Sequence, residues 1–168
     1  DKDYNALNEY LNNYQKSIPD EHIFFCENSA VNAILSYFSE QARTFGITYT
    51  VSASIPKHIS ISETDLSILF GNLLENAIDA CNAQSGENKK IIVRAKTDNH
   101  SLCVTIDNTF SGSLDIDQEG HFVSSKHEGL GLGTESIKSI AEKYGGVCQF
   151  ESNNGMFYAS VMCFKDHV

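Results

Sequence analysis

Apolar positions recur along this chain with two periods, and the changes of period mark the elements. Tyr4, Leu7, Leu11, Tyr14 and Ile18 alternate spacings of three and four, with Asn, Glu and Lys between them. This narrow stripe predicts a coiled-coil or bundle helix over 1–18, or equally a helix lying on the domain, and Pro19-Asp20 ends it. Ile23-Phe24-Phe25-Cys26 is an apolar run of strand length. Val31, Ile34, Leu35, Phe38, Ala42 and Phe45 then share one face of a helix from about Ser29 to Phe45, with Gly46 as its stop.

Alternation follows in Ile47, Tyr49, Val51 and Ala53, predicting a strand, and Ile59-Ser60-Ile61 is a short edge-like segment. A long helix begins at Ser62, where Ser62-Glu63-Thr64-Asp65 has the form of a capping box. Its apolar face carries Leu66, Leu69, Phe70, Leu73, Ala77 and Ala80; the opposite face carries Asp65, Asn72, Glu75, Asn76 and Asp79. Two strands come next, one with Ile91, Val93 and Ala95 on a face, the other with Leu102, Val104, Ile106 and Asn108. After Asn108 the pattern is absent for about 25 residues, which predicts a functional lid or a linker. A helix from near Thr134 stops at Gly145-Gly146, and a hairpin turning at Asn153-Asn154-Gly155 closes the domain. Consecutive strands joined by short turns predict an α/β sandwich with a mixed sheet, not a doubly wound parallel one.

Composition narrows the function. The 168 residues suffice for one packed domain with a small appendage, which divides the chain into 1–18 and 21–168. A net charge of −10 argues against a nucleic-acid or anionic-membrane surface. No apolar run approaches membrane-spanning length. The five cysteines are odd in number and lack a CxxC spacing, which suits buried free thiols and a cytoplasmic setting.

Two clusters carry chemistry. Asn72 and Asn76 stand one turn apart, and amide oxygens can ligate a hard cation while amide N–H groups donate to phosphate oxygens. Gly129-Leu130-Gly131-Leu132-Gly133-Thr134 precedes a helix, where bare backbone N–H groups and the helix N-terminus favour an anion. It lacks the strand that precedes a dinucleotide fingerprint and the GK[ST] ending of a Walker loop.

Together these clusters resemble the ATP-binding domain of the GHKL superfamily, most closely the catalytic domain of sensor histidine kinases of the peptide-sensing, quorum-type branch. Asn72-Leu73-Leu74-Glu75-Asn76-Ala77 is similar to that family's N-box, Asn108-Thr109-Phe110-Ser111-Gly112 to its Asp-x-Gly-x-Gly box, and Gly129 to Thr134 to its second glycine box. The match runs over roughly 28–164. It implies a two-layer α/β sandwich of the Bergerat type with a mixed, mainly antiparallel sheet, preceded by a short helix ending a dimerisation bundle. It also implies ATP and Mg²⁺ as ligands, with Asn76 on the metal, Asn72 beside it and Asn108 accepting from the adenine amino group. Gly112 of the first glycine box would belong to the nucleotide site, with Gly129, Gly131, Gly133 and Thr134 of the second toward the phosphates. Asp79 stands where many relatives carry a phosphate-facing cation, which makes Lys126 the candidate for that role. Phe110 replaces the first box glycine, so the turn differs or the ring covers the base.

The implied activity is protein-histidine kinase, with the phosphoacceptor histidine outside this chain: no histidine sits on a bundle-type helix, and His127 before Glu128 falls in the lid segment. The implied partners are the protein's own phosphoacceptor domain, a response regulator, and a second copy through the bundle. The setting would be the cytoplasmic portion of a membrane-bound sensor, without direct membrane or nucleic-acid contact by this chain. Two other functions are compatible with the motifs: a nucleotide-sensing module without phosphotransfer, and an anti-sigma-type serine kinase or ATPase. Hydrolytic relatives use a glutamate at the Asn72 position, and an amide cannot serve as a base.

Overall fold

The computed structural model describes residues 23–111 and 132–164. The helix expected over 1–18 lies outside them. Among the described residues, three helices cover one face of a five-stranded sheet: α1 (Ser29–Thr44), β1 (Thr48–Ser54), α2 (Glu63–Asn82), β2 (Lys90–Thr97), β3 (Ser101–Thr109), α3 (Leu132–Lys143), β4 (Val147–Asn153) and β5 (Met156–Phe164). The strand order is β1-β2-β3-β5-β4, with β1 and β2 parallel and every other pair antiparallel. The mixed, mainly antiparallel α/β sandwich is therefore the one the sequence pattern predicts. α1 lies over β1, α2 over β3 and β2, and α3 over β4 and β5.

The helices begin and end where side-chain chemistry satisfies their loose ends. Asn28 caps α1, its Oδ1 accepting from Val31 N at 3.1 Å, and Gly46 takes a φ of +65° just beyond the helix. Ser62 caps α2 in the same way, accepting from Asp65 N at 3.1 Å. The core between the layers holds Leu35 and Val31 from α1, Leu66, Leu69, Phe70 and Leu74 from α2, and Ile137 from α3. The sheet meets them with Ile91, Val93, Leu102, Val104 and Ile106, the alternating residues expected to face inward.

Two short segments differ from expectation. Ile23 to Cys26 is not a strand: Ile23 and Phe24 are 54% and 70% exposed, and the N–H groups of Phe25 and Cys26 donate to Asn32 Oδ1 at 2.8 and 3.3 Å. A side-chain acceptor on α1 has replaced a neighbouring strand, so no ladder forms. Ile59 to Ile61 is also irregular; Ile61 is buried as an anchor just before the Ser62 cap.

Candidate functional site

α2 presents Asn72 half-buried and Asn76 exposed, one turn apart, toward the start of α3. Gly133 lies in the first turn of α3. A Cβ there would stand 3.5 Å from Asn72 Oδ1 and 3.6 Å from both amide atoms of Asn76. Gly133 thus lies against the Asn72 and Asn76 amides, and its missing side chain leaves them facing the N-terminal turn of a helix. That turn offers N–H groups without intrahelical partners and a partial positive charge. Thr134, half-buried, sits in the same turn. A cation held by amide oxygen and an anion held by helix N–H groups both fit this donor set.

The opposite ends of the two helices are clasped together. Asp65 Oδ2 accepts from Lys143 Nζ at 2.7 Å, from Tyr144 OH at 2.6 Å and from Ser62 Oγ at 2.7 Å. Tyr144 OH also accepts from Ser62 N at 3.0 Å. The Lys143 ammonium, then the Tyr144 and Ser62 hydroxyls, hold the Asp65 carboxyl down at about 2. Asp65 shares the face of α2 that carries Asn72 and Asn76, and is buried there because the end of α3 packs on it.

Asn108 ends the buried face of β3, only 2% exposed, between Ile91 of β2 and Phe157 of β5. Its Nδ2 donates to the Thr109 carbonyl at 3.0 Å. The last turn of α2 reaches this end of the strand, where Cys81 Sγ lies 3.5 Å from the same carbonyl. Pairing with β5 continues one residue further, since Phe110 N donates to Gly155 O at 3.0 Å. The Phe110 ring meets Phe157 edge-on with centroids 6.5 Å apart, and Phe150 stacks on the other side of Phe157 at 6.1 Å. An aromatic row thus flanks the buried amide.

Gly112, Lys126, Gly129 and Gly131 lie outside the described residues. Asp79 is half-buried and, with Glu75 and Asn72, lines a groove of about 570 Å³ between α1 and α2 that also exposes Tyr37, Phe45 and Ile68. Asn72 stands on the rim shared by this groove and the Gly133 corner. Sequence reasoning missed Lys143, Tyr144, Thr109, Cys81 and Phe157. Only the last had a signal, since it shares a face with Ala159, Val161 and Cys163 along β5. The five cysteines are all free thiols, three of them buried. Among the described residues no group of three or more His, Cys, Asp and Glu is placed to hold a metal, and no helix is long and apolar enough to cross a membrane.

Comparison with known proteins bears on the fold and the family. The chain is similar to a probable C4-dicarboxylate sensor kinase of Bacillus subtilis (strain 168), 24% identical over 138 residues, covering 77% of this chain and 25% of that protein. It thus spans about a quarter of the length of that curated relative. Among solved structures it resembles the nucleotide-free catalytic domain of histidine kinase ThkA, with a TM-score of 0.62 and 22% identity, over 82% of this chain and 92% of that one. It also resembles the Acinetobacter baumannii histidine kinase AdeS, with a TM-score of 0.61 and 13% identity, over 83% and 64% of the two chains. The family model described as the GHKL domain matches residues 61–163, from the start of α2 through β5 and more than half of the 168 residues; the chain belongs to that family.

Proposed function

We propose that this chain is the ATP-binding catalytic domain of a sensor histidine kinase, presenting the γ-phosphate to a histidine on an adjoining bundle domain. The observation that carries the reading is the bare Gly133 against the paired amides of Asn72 and Asn76. Bound ATP·Mg²⁺ supplies the phosphoryl group to be transferred. Asn76 Oδ1 takes a place on the cation, Asn72 contacts phosphate oxygens, and the first turn of α3 meets their charge. Asn108 accepts from the adenine amino group. Lys126 and the glycines Gly112, Gly129 and Gly131 belong to the same reading, Lys126 as the cation that Asp79 does not provide.

The side chains at this corner bind and orient but do not activate a nucleophile. An amide at position 72 takes no proton, so rapid hydrolysis is not expected, and the attacking imidazole comes from another domain. The relatives are sensor kinases, which supports a response regulator as onward partner, dimerisation through the bundle, and a cytoplasmic location beneath a membrane sensor. Asn108 in place of the usual Asp supports the peptide-sensing branch.

Calorimetry on the Asn76→Ala variant tests the reading. Asn76 is exposed, so the variant should keep its melting temperature and lose the Mg²⁺-dependent part of ATP affinity. Unchanged ATP affinity with Mg²⁺ would overturn the assignment. With radiolabelled ATP, the chain alone should not label itself, whereas a bundle domain carrying its histidine should acquire acid-labile phosphate.

A further inference from the structure

The Thr109 carbonyl accepts from Asn108 and is the nearest of three acceptors around the single thiol proton of Cys81. Asn108 Nδ2 reaches it at 3.0 Å and Cys81 Sγ at 3.5 Å. The Thr109 hydroxyl accepts from Lys90 N at 3.0 Å and lies 3.6 Å from the same sulfur, which is also 3.6 Å from the Lys90 carbonyl. Cys81 has no exposed surface, and burial pushes its thiol above the ordinary range, so it stays a protonated donor. The end of β3, the start of β2 and the last turn of α2 are therefore tied at one peptide group.

This knot decides which end of the Asn108 amide is free. A carboxylate at that place presents only acceptors. An amide presents an acceptor at one end and a donor at the other, and a half-turn of its last torsion exchanges them. Unrestrained, it could accept from the 6-amino group of adenine or donate to the 6-oxo group of guanine. Here the half-turn would set Oδ1 about 3 Å from the Thr109 carbonyl oxygen, acceptor against acceptor, in a buried place where a lost hydrogen bond is not replaced by water. The amide therefore has one stable orientation, with Nδ2 held by the backbone.

We propose that Thr109 and Cys81 are positioning residues that lock the Asn108 amide with its oxygen toward the base, so that a neutral residue selects a 6-amino purine over a 6-oxo purine. This rests on the reading of Asn108 as the base-reading residue. Cys81 acts through the Thr109 peptide and does not touch the nucleotide.

The test compares Mg·ATP and Mg·GTP affinity by calorimetry for the 168-residue chain and for Asn108→Asp, Asn108→Ala, Cys81→Ser and Cys81→Ala. The wild type should prefer ATP by about tenfold or more, the size of one hydrogen bond made rather than opposed. Asn108→Asp, which puts a carboxylate oxygen where Nδ2 donates to the Thr109 carbonyl, should bind both nucleotides more weakly and should not raise the ratio above that of the wild type. Cys81→Ser, which keeps a donor, should preserve the ratio, and Cys81→Ala should lower it by about threefold or more. In ¹⁵N spectra the Asn108 side-chain NH₂ should show one proton protected from exchange in the wild type and in Cys81→Ser, and lose that protection in Cys81→Ala. A wild-type ratio near one that Asn108→Asp sharpens would show a freely turning amide and overturn the proposal. A Cys81→Ala variant that melts earlier or binds both nucleotides more weakly, with the ratio and the exchange unchanged, would overturn the part given to Cys81. Unchanged ATP affinity in Asn108→Ala is a separate failure, removing Asn108 as the base reader whatever the lock does.

Discussion

Lys143 Nζ and Asp65 Oδ2 lie 2.7 Å apart, joining the last turn of α3 to the first turn of α2. The two helices run antiparallel, so this contact at one end sets how far α3 is slid along α2 at the other. There Gly133 faces Asn72 and Asn76. The clasp touches no candidate ligand, yet it fixes the offset on which the site depends. A shift of one residue along α2 would move the bare turn by 1.5 Å relative to the amides.

The clasp should be measurable as pH-dependent stability. Asp65 is lowered from 3.8 to about 2, so its contribution is fully present above the unfolded value of 3.8 and is lost as pH falls through about 2. The shift corresponds to roughly 2 kcal/mol at most, and the 59% exposure of the Lys143 side chain reduces it to about 1 kcal/mol. Urea unfolding of Asp65→Asn at pH 7 should show that loss, and the gap from wild type should narrow to about half near pH 3. A gap independent of pH would mean that the carboxylate charge contributes nothing.

Tyr144→Phe should act on the same junction through a different group. The hydroxyl donates to Asp65 and accepts from Ser62 N, so its removal leaves two partners short of a bond. A cost of about 1–2 kcal/mol is expected, and in the double variant with Asp65→Asn the losses should fall short of additive. Strict additivity would separate Tyr144 from the clasp.

Gly133→Ala tests the open corner. The added Cβ would sit in ordinary van der Waals contact with both amides, so the fold should tolerate it and the melting temperature should change little. The methyl group occupies space between helix N–H groups and amide oxygens, and Mg·ATP affinity should fall about tenfold, with a larger loss for Gly133→Val. Calorimetry and thermal unfolding run together would check this; unchanged affinity in the valine variant would place the phosphates elsewhere.

Most of the fold was legible because each element carries its own period and its own stop. The alternation in β2 and β3 and the stripe in α2 translate directly into buried faces. The Asn72/Asn76 pair was legible because its spacing is local to one helix. Its meeting with Gly133 followed only from the family resemblance, since nothing in a periodicity says which two helices pack. The same limit hid the Asp65–Lys143–Tyr144 clasp and the Cys81–Thr109 knot: each joins residues far apart in sequence whose types are unremarkable alone. The apolar run at Ile23 misled for the reverse reason, because a single Asn32 side chain takes the N–H groups of Phe25 and Cys26 that a strand would have paired.

Gly145-Gly146 shows how one sequence signal can conceal two physical causes. Both glycines look like a helix stop, and Gly145 is one, with a φ of +62° after α3. Gly146 is not in that region; it lies where β5 passes close by. A Cβ on it would stand 1.8 Å from the Met162 carbonyl oxygen and 2.7 Å from its carbon, distances that only a backbone displacement could relieve. Gly145→Ala should therefore cost about 1 kcal/mol, the ordinary penalty for a left-handed residue with a side chain. Gly146→Ala should cost about 3 kcal/mol or more, because β5 must move from both β3 and β4 to make room. Denaturant unfolding of the two variants side by side would check the order. If Gly145→Ala proved the more damaging, the close approach of β5 to the end of α3 would not be the reason for the second glycine.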